Sequence, residues 1–262
     1  MKPILLSGCV FLLAAGCIRA PATIASTPTL APVCGEPGTT QALSIPSDIP
    51  GVPYPFDVYL PPCYETLSGR SYPVLYLSPG RSSTPDTWIQ AGAVKIADEM
   101  IHAMEIPPFI IVSTSNIDDG PSAETIQTLL MPHIEQTYRI LPGRSFHAVA
   151  GGSLGGIAAY RIVLQHSDRF ASLGIFGSGV ETVEEDKVRT WLAAVTAQNQ
   201  PRVFLNCGTE DEQMLDTAKL TISLLDEVKI PHTEIFTPGN HSYQYWSTNL
   251  QAFYQWLTEH WR

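Results

Sequence analysis

HAVAGGSLGGI, residues 147–157, joins an apolar strand to an apolar helix through a turn of four glycines and a serine. The strand is short and uninterrupted, which is typical of a strand buried on both faces. Similar apolar runs recur at residues 74–77, 109–112, 173–176 and 203–205, with amphipathic helical patterns between them. This alternation predicts a single α/β domain with a mostly parallel central sheet and helices on both faces.

The composition is that of a globular protein. Of 262 residues, 44% are hydrophobic and 15% are charged, which excludes a disordered or fibrous chain. Acidic residues outnumber basic ones by 25 to 15, which gives a formal charge of −10. Because phosphate binding needs clustered lysines and arginines and the sequence has no such cluster, we expect no nucleic-acid partner.

The first 48 residues predict export. Residues 1–16 hold one lysine and then an apolar run that is too short to span a membrane, a pattern typical of a signal peptide. Small residues followed by Cys17 resemble a bacterial lipoprotein cleavage site, so Cys17 is the predicted lipidation site. Residues 17–48, rich in Pro, Thr and Ser, predict a tether, and the domain is expected over residues 49–262. The chain is predicted to be a cell-envelope lipoprotein held to the membrane only by this lipid or, alternatively, a secreted protein.

Cysteine usage agrees with export to an oxidising compartment. Cys34 and Cys63 flank the N-terminal stretch, and we expect a disulfide between them, the alternative being two free thiols. Cys207 ends an apolar run and is predicted to be a buried, inert thiol.

Ser153 is the candidate nucleophile. It lies in a Gly-x-Ser-x-Gly pattern on a predicted strand-to-helix turn, where flanking glycines permit a strained backbone. The Leu154 amide would then lie at a helix N-terminus, where it can donate to a developing oxyanion. The alternatives are a glycine-rich packing turn and a phosphate loop, but a phosphate loop would need a lysine or a GxGxxG spacing.

A serine nucleophile needs a base and a group that orients the base. After the strand at residues 203–205 come Glu210, Asp211 and Glu212, and Asp211 is the expected acid by its position. The choice among the three carboxylates stays open at this point. His241 follows the last predicted strand, so Ser153, Asp211 and His241 occur in the order of the α/β-hydrolase triad.

A second oxyanion donor is expected in the loop after an early strand, at residues 78–81. Pro79 has no N–H, so the Arg81 amide is the predicted donor. Aromatic side chains that could line the substrate cleft are Trp88, Tyr243 and Tyr245. No metal or organic cofactor is expected.

Four motifs in this order, at residues 73–80, 150–156, 207–211 and 239–246, resemble the putative esterase family, which is related to esterase D, enterochelin esterases, feruloyl esterases and the mycolyltransferase antigen 85. The resemblance implies an α/β-hydrolase fold and carboxylic-ester chemistry. It places the catalytic serine, acid and base and the two oxyanion amides at the residues already named: Ser153, Asp211, His241, Arg81 and Leu154. Pro79-Gly80 stands where relatives often have His-Gly.

The sequence therefore predicts an exported serine carboxylic-ester hydrolase that acts through an acyl-enzyme on a small or polysaccharide-linked ester. An acyltransferase of the antigen 85 type with the same triad, or a non-catalytic surface binding module, would be the alternatives.

Overall fold

Eight strands form one sheet in the computed structural model, which describes residues 35–47, 52–115 and 125–261. The strands are β1 (Thr39–Pro46), β2 (Pro53–Leu60), β3 (Val74–Ser78), β4 (Ile110–Thr114), β5 (His147–Gly152), β6 (Ser172–Phe176), β7 (Arg202–Gly208) and β8 (His232–Thr237). The predicted signal peptide, Cys17 and Cys34 lie outside the described residues.

The sheet has the order β1-β2-β4-β3-β5-β6-β7-β8. Strands β1 and β2 pair antiparallel with each other, and β2 pairs antiparallel with β4. In the rest of the sheet, which runs from β4 through β3, β5, β6 and β7 to β8, all neighbouring strands are parallel. Parallel strands need connections that cross over the sheet, and here helices supply them. The prediction of a mostly parallel central sheet is confirmed.

Helices cover both faces of the sheet. The helices are α1 (Thr87–Gln90), α2 (Ala93–His102), α3 (Met131–Thr137), α4 (Leu154–Gln165), α5 (Glu185–Ala194), α6 (Leu215–Glu227), α7 (Tyr243–Thr248) and α8 (Leu250–Thr258). A π-helical turn, Ile126–Leu130, leads directly into α3.

Alternate residues of the central strands enter two separate cores, as the pleat of a sheet requires. On β3, Val74 and Tyr76 pack into one core with α3 to α6, whereas Leu75 and Leu77 pack into the other with α1, α2, α7 and α8. All residues of this strand are buried, which is why the strand is an uninterrupted apolar run.

The predicted tether extends too far into the domain. Residues 39–46, which fall within the predicted 17–48 segment, form the edge strand β1 along the whole of β2. Most of β1 is exposed, and only Leu43 and Ile45 pack toward the core. An edge strand with one covered face has too few apolar residues to stand out from a Pro/Thr/Ser-rich stretch, so composition alone missed it.

Candidate active site

Ser153 occupies a strained turn between β5 and α4. Its backbone has φ 54° and ψ −123°, a conformation that residues other than glycine rarely adopt. The Ser153 N–H donates to the Phe176 carbonyl at 2.9 Å, which holds the turn against β6. A Cβ added at Gly155 would lie 2.3 Å from the Ser78 carbonyl oxygen, so only glycine lets the helix start this close to the end of β3.

Ser153, His241 and Asp211 form one hydrogen-bonded chain. The His241 Nε2 atom lies 3.0 Å from Ser153 Oγ, and its Nδ1 atom lies 2.7 Å from Asp211 Oδ2. The Asp211 side chain is fully buried, whereas 22% of the His241 side chain is exposed. An imidazole in this position can take a proton from the serine while the carboxylate fixes its tautomer.

The contacts distinguish the three neighbouring carboxylates. Glu210 and Glu212 are exposed to solvent, and Asp211 points inward to His241. The second oxygen of Asp211 accepts the Met214 N–H at 3.1 Å. Both carboxylate oxygens of Asp211 thus accept a donor, which fixes the orientation of the side chain toward His241.

Cys207 is a free thiol at the end of β7, buried beside the acid. Its Sγ lies 4.0 Å from Asp211 Oδ2. Burial, aided by the negative charge of Asp211, raises the pKa of this thiol to about 12. Cys63 is disulfide-bonded, and its predicted partner, Cys34, lies outside the described residues.

Backbone hydrogen bonds join the acid loop (residues 209–214) to the end of β8 and to the base loop (residues 238–242) that follows it. The Thr209 N–H donates to the Thr237 carbonyl at 2.9 Å, and the Glu210 N–H donates to the Gly239 carbonyl at the same distance. These bonds continue the parallel pairing of β7 and β8 beyond the strand ends. The acid and the base are therefore brought together by the sheet itself.

Tyr245 lies beneath these two loops and does not line the cleft as predicted. It is 8% exposed, and its hydroxyl contacts the Cys207 carbonyl at 3.1 Å and the Thr237 Oγ1 at 2.8 Å. The Asn206 side-chain amide donates to the same hydroxyl at 3.1 Å. Tyr245 thus ties the ends of β7 and β8 together.

Trp88 is likewise a core residue and not the predicted lining residue. Its side chain is fully buried, and its indole N–H donates to the Ser78 carbonyl at 2.9 Å. The Trp88 ring packs edge-on against Tyr243 at 5.0 Å and tilted against Trp246 at 6.0 Å. Trp246 in turn meets the His241 ring edge-on at 5.1 Å. Both errors have one cause, because a local pattern does not show whether an aromatic ring faces the cleft or the core.

Tyr243, the third aromatic candidate, is half-buried beside the nucleophile. Its hydroxyl accepts the Gly80 N–H at 2.6 Å. A Cβ added at Gly80 would lie 3.4 Å from this hydroxyl and 3.5 Å from the Ser153 Cβ. The loop after β3 therefore runs directly alongside Ser153, with the exposed Arg81 as its next residue.

Leu154 is the first residue of α4 and follows Ser153 directly. Amides of the first helical turn have no acceptor within their own helix.

Within residues 35–47, 52–115 and 125–261, no group of three or more His, Cys, Asp or Glu side chains could hold a metal ion. No helix in the same ranges is long and apolar enough to cross a membrane.

Comparison with known proteins relates the chain to esterases. The chain is 30% identical over 190 residues to an endo-1,4-beta-xylanase/feruloyl esterase of Xylanibacter ruminicola, a match that covers 66% of this chain and 25% of that protein. The chain thus spans about a quarter of the length of this curated relative.

Solved structures share the fold at lower identity. A ferulic acid esterase of Anaeromyces mucronatus in complex with ferulic acid superposes with a TM-score of 0.74 and 20% identity, over 87% of this chain and 93% of that chain. A fluorophosphonate-binding serine hydrolase of Staphylococcus aureus gives a TM-score of 0.70 and 18% identity, over 85% and 99% of the two chains.

The fold and the family predicted from the sequence are both confirmed. The structural neighbours are esterases and serine hydrolases with an α/β-hydrolase-type sheet. A family model described as "Putative esterase" matches residues 47–257, which is most of the chain. The chain therefore belongs to the putative esterase family.

Proposed function

We propose that this chain is a serine carboxylic-ester hydrolase in which Ser153 is the nucleophile, His241 the general base and Asp211 the orienting acid. The observation that carries the proposal is the continuous contact from Ser153 Oγ to His241 Nε2 and from His241 Nδ1 to Asp211 Oδ2, at 3.0 and 2.7 Å. Membership of an esterase family agrees with it.

The reaction proceeds in two acyl transfers. His241 removes the Ser153 hydroxyl proton as the oxygen attacks the ester carbonyl, and the Arg81 and Leu154 amides stabilise the resulting oxyanion. The oxyanion collapses, the bond to the alkoxide oxygen breaks, and the proton on His241 passes to the leaving alcohol. A water molecule, deprotonated by the same imidazole, then attacks the acyl-enzyme. The bond between the acyl carbon and Ser153 Oγ breaks, His241 returns the proton to this oxygen, and the acid is released.

For the substrate, we propose a small or polysaccharide-linked ester. Two relatives are named as feruloyl or ferulic acid esterases, which supports testing hydroxycinnamoyl esters first.

We also propose export. The apolar signal-like residues 1–16, Cys17 after small residues, and a disulfide at Cys63 support a domain that folds in an oxidising compartment, tethered by lipid or free.

The test is hydrolysis of p-nitrophenyl acetate, methyl ferulate and feruloylated arabinoxylan by the wild type, Ser153→Ala and Ser167→Ala. Ser167 lies between α4 and β6, away from the turn at Ser153, and serves as the matched control. Ser153→Ala should lose both turnover and labelling by a fluorophosphonate probe, and Ser167→Ala should keep both. Absence of wild-type turnover on every ester, or equal turnover by Ser153→Ala, would overturn the proposal.

A further inference from the structure

We propose that the Tyr243 hydroxyl is a positioning group that holds the 78–83 loop, and with it the Arg81 amide, in place for oxyanion binding. This inference rests on the proposed function, because it assigns a task to a residue beside the proposed nucleophile. In this proposal Tyr243 positions the loop and does not bind the substrate.

The 78–83 loop contains a tight turn that presents Arg81. The Ser83 N–H donates to the Gly80 carbonyl at 3.3 Å, so Gly80 and Ser83 are the ends of a four-residue turn and Arg81 is its first central residue. Ser82, the second central residue, has φ 54°. A turn with a non-glycine residue at positive φ is strained, so contacts from outside must hold it.

Tyr243 contacts both ends of this turn. Its hydroxyl accepts the Gly80 N–H at 2.6 Å and donates to the Ser83 Oγ at 3.4 Å. The short bond to Gly80 also occupies the amide that precedes Arg81. The amide left to face the substrate carbonyl is then that of Arg81, held between two fixed points.

The Tyr243 ring is itself fixed. It packs edge-on against Trp88 at 5.0 Å and against Trp246 at 4.9 Å, and Trp88 is bonded to the start of the same loop through Ser78. Burial raises the pKa of the Tyr243 phenol above its ordinary value, so the hydroxyl keeps the proton that it donates to Ser83. The hydroxyl therefore acts from a rigid aromatic support.

The same short segment also carries the base. Tyr243 begins α7 two residues after His241, and the Ser242 hydroxyl caps this helix by accepting the Tyr245 N–H at 3.3 Å. This segment therefore positions both the base, His241, and the 78–83 loop, which Tyr243 contacts. Removing the Tyr243 hydroxyl should therefore weaken oxyanion stabilisation and leave the contact between His241 and Ser153 in place.

The experiment compares wild type, Tyr243→Phe and Tyr254→Phe on p-nitrophenyl acetate. Tyr254 is the matched control, because its buried hydroxyl also donates one hydrogen bond, to the Ala93 carbonyl at 3.0 Å, but lies in the core. Losing an oxyanion donor outright costs about 10² to 10³ in kcat, and a loosened donor should cost less, about tenfold. We expect this fall in kcat for Tyr243→Phe with little change in KM, and a parallel fall in the rate of fluorophosphonate inactivation.

Each other outcome has a defined meaning. If Tyr243→Phe matches Tyr254→Phe in kcat and inactivation rate, or if only its KM rises, the positioning role is refuted although the enzyme is an esterase. If the wild type neither hydrolyses esters nor reacts with the probe, the proposed function fails and the inference with it.

Amide exchange of glycine-labelled protein gives a readout that does not depend on activity. The Gly80 amide of the wild type should be protected, and in Tyr243→Phe it should exchange faster while other core amides do not. Exchange of the wild-type Gly80 amide at the rate of an open loop would overturn the proposal.

Discussion

Replacing Asp211 by Asn puts an NH2 donor group into a position toward which two donors, His241 Nδ1 and the Met214 N–H, already point. The wild-type carboxylate accepts His241 Nδ1 at 2.7 Å on one oxygen and the Met214 N–H at 3.1 Å on the other. An asparagine has one oxygen and one NH2 group, so it can satisfy only one of these two donors. The Asp211 side chain is fully buried, so water cannot satisfy the donor that is left over.

Both orientations of the amide are unfavourable, for different reasons. If the NH2 group faces His241, the ring must accept at Nδ1, which places its proton on Nε2 and leaves no base for Ser153. If the NH2 group faces the Met214 N–H, two buried donors oppose each other, at a cost of about 1 to 3 kcal/mol in stability. The first orientation avoids this clash, so the inactive tautomer should dominate.

The inactive tautomer costs about 10⁴ in kcat in enzymes with this arrangement, or about 5.5 kcal/mol in the activation barrier. We therefore expect Asp211→Asn to lower kcat for p-nitrophenyl acetate by about 10³ to 10⁴. Glu210→Gln and Glu212→Gln are the matched controls, because these neighbouring carboxylates are exposed, and they should keep wild-type kcat. An Asp211→Asn variant that keeps more than a tenth of wild-type kcat, or an equal loss in either control, would refute the reasoning.

Three further perturbations follow from the packing around the site. Tyr245→Phe removes a hydroxyl with three buried contacts, so the free energy of unfolding should fall by about 2 kcal/mol and Tm by about 4 to 8 °C in a thermal melt. Gly155→Ala would place a Cβ 2.3 Å from the Ser78 carbonyl oxygen and push the 78–83 loop away, so kcat/KM should fall by about 100-fold. Cys207, its pKa raised to about 12 by burial and by Asp211, stays a neutral thiol at pH 8 and should resist iodoacetamide in a mass-spectrometric assay of the folded chain.

Each of these has a control within the chain. Tyr76→Phe removes a buried hydroxyl that has no hydrogen-bond partner among the described residues, so it should cost little or even stabilise. Gly69→Ala adds a Cβ into open space and should leave activity unchanged. Unfolding in guanidinium should make Cys207 reactive. Equal Tm losses in both tyrosine variants, an active Gly155→Ala, or rapid alkylation of the folded chain would contradict the respective argument.

Local patterns were sufficient for the fold class and for the serine turn. A strand buried on both faces must be continuously apolar, and an amphipathic helix must repeat its apolar residues every three to four positions, so both are visible in short windows. The turn at Ser153 is equally local, since its flanking glycines belong to one hexapeptide. The edge strand β1 escaped detection because only one of its faces is covered.

The sequence by itself determined the family, the layered α/β architecture, and which serine and histidine to examine. Only the tertiary structure decided which carboxylate contacts His241 and which aromatic rings are core. Ser153 and His241 are 88 positions apart and Asp211 and His241 are 30 apart, and parallel strands bring their following loops to one edge. Contacts over such separations depend on strand order and side-chain direction, which no short stretch of sequence encodes.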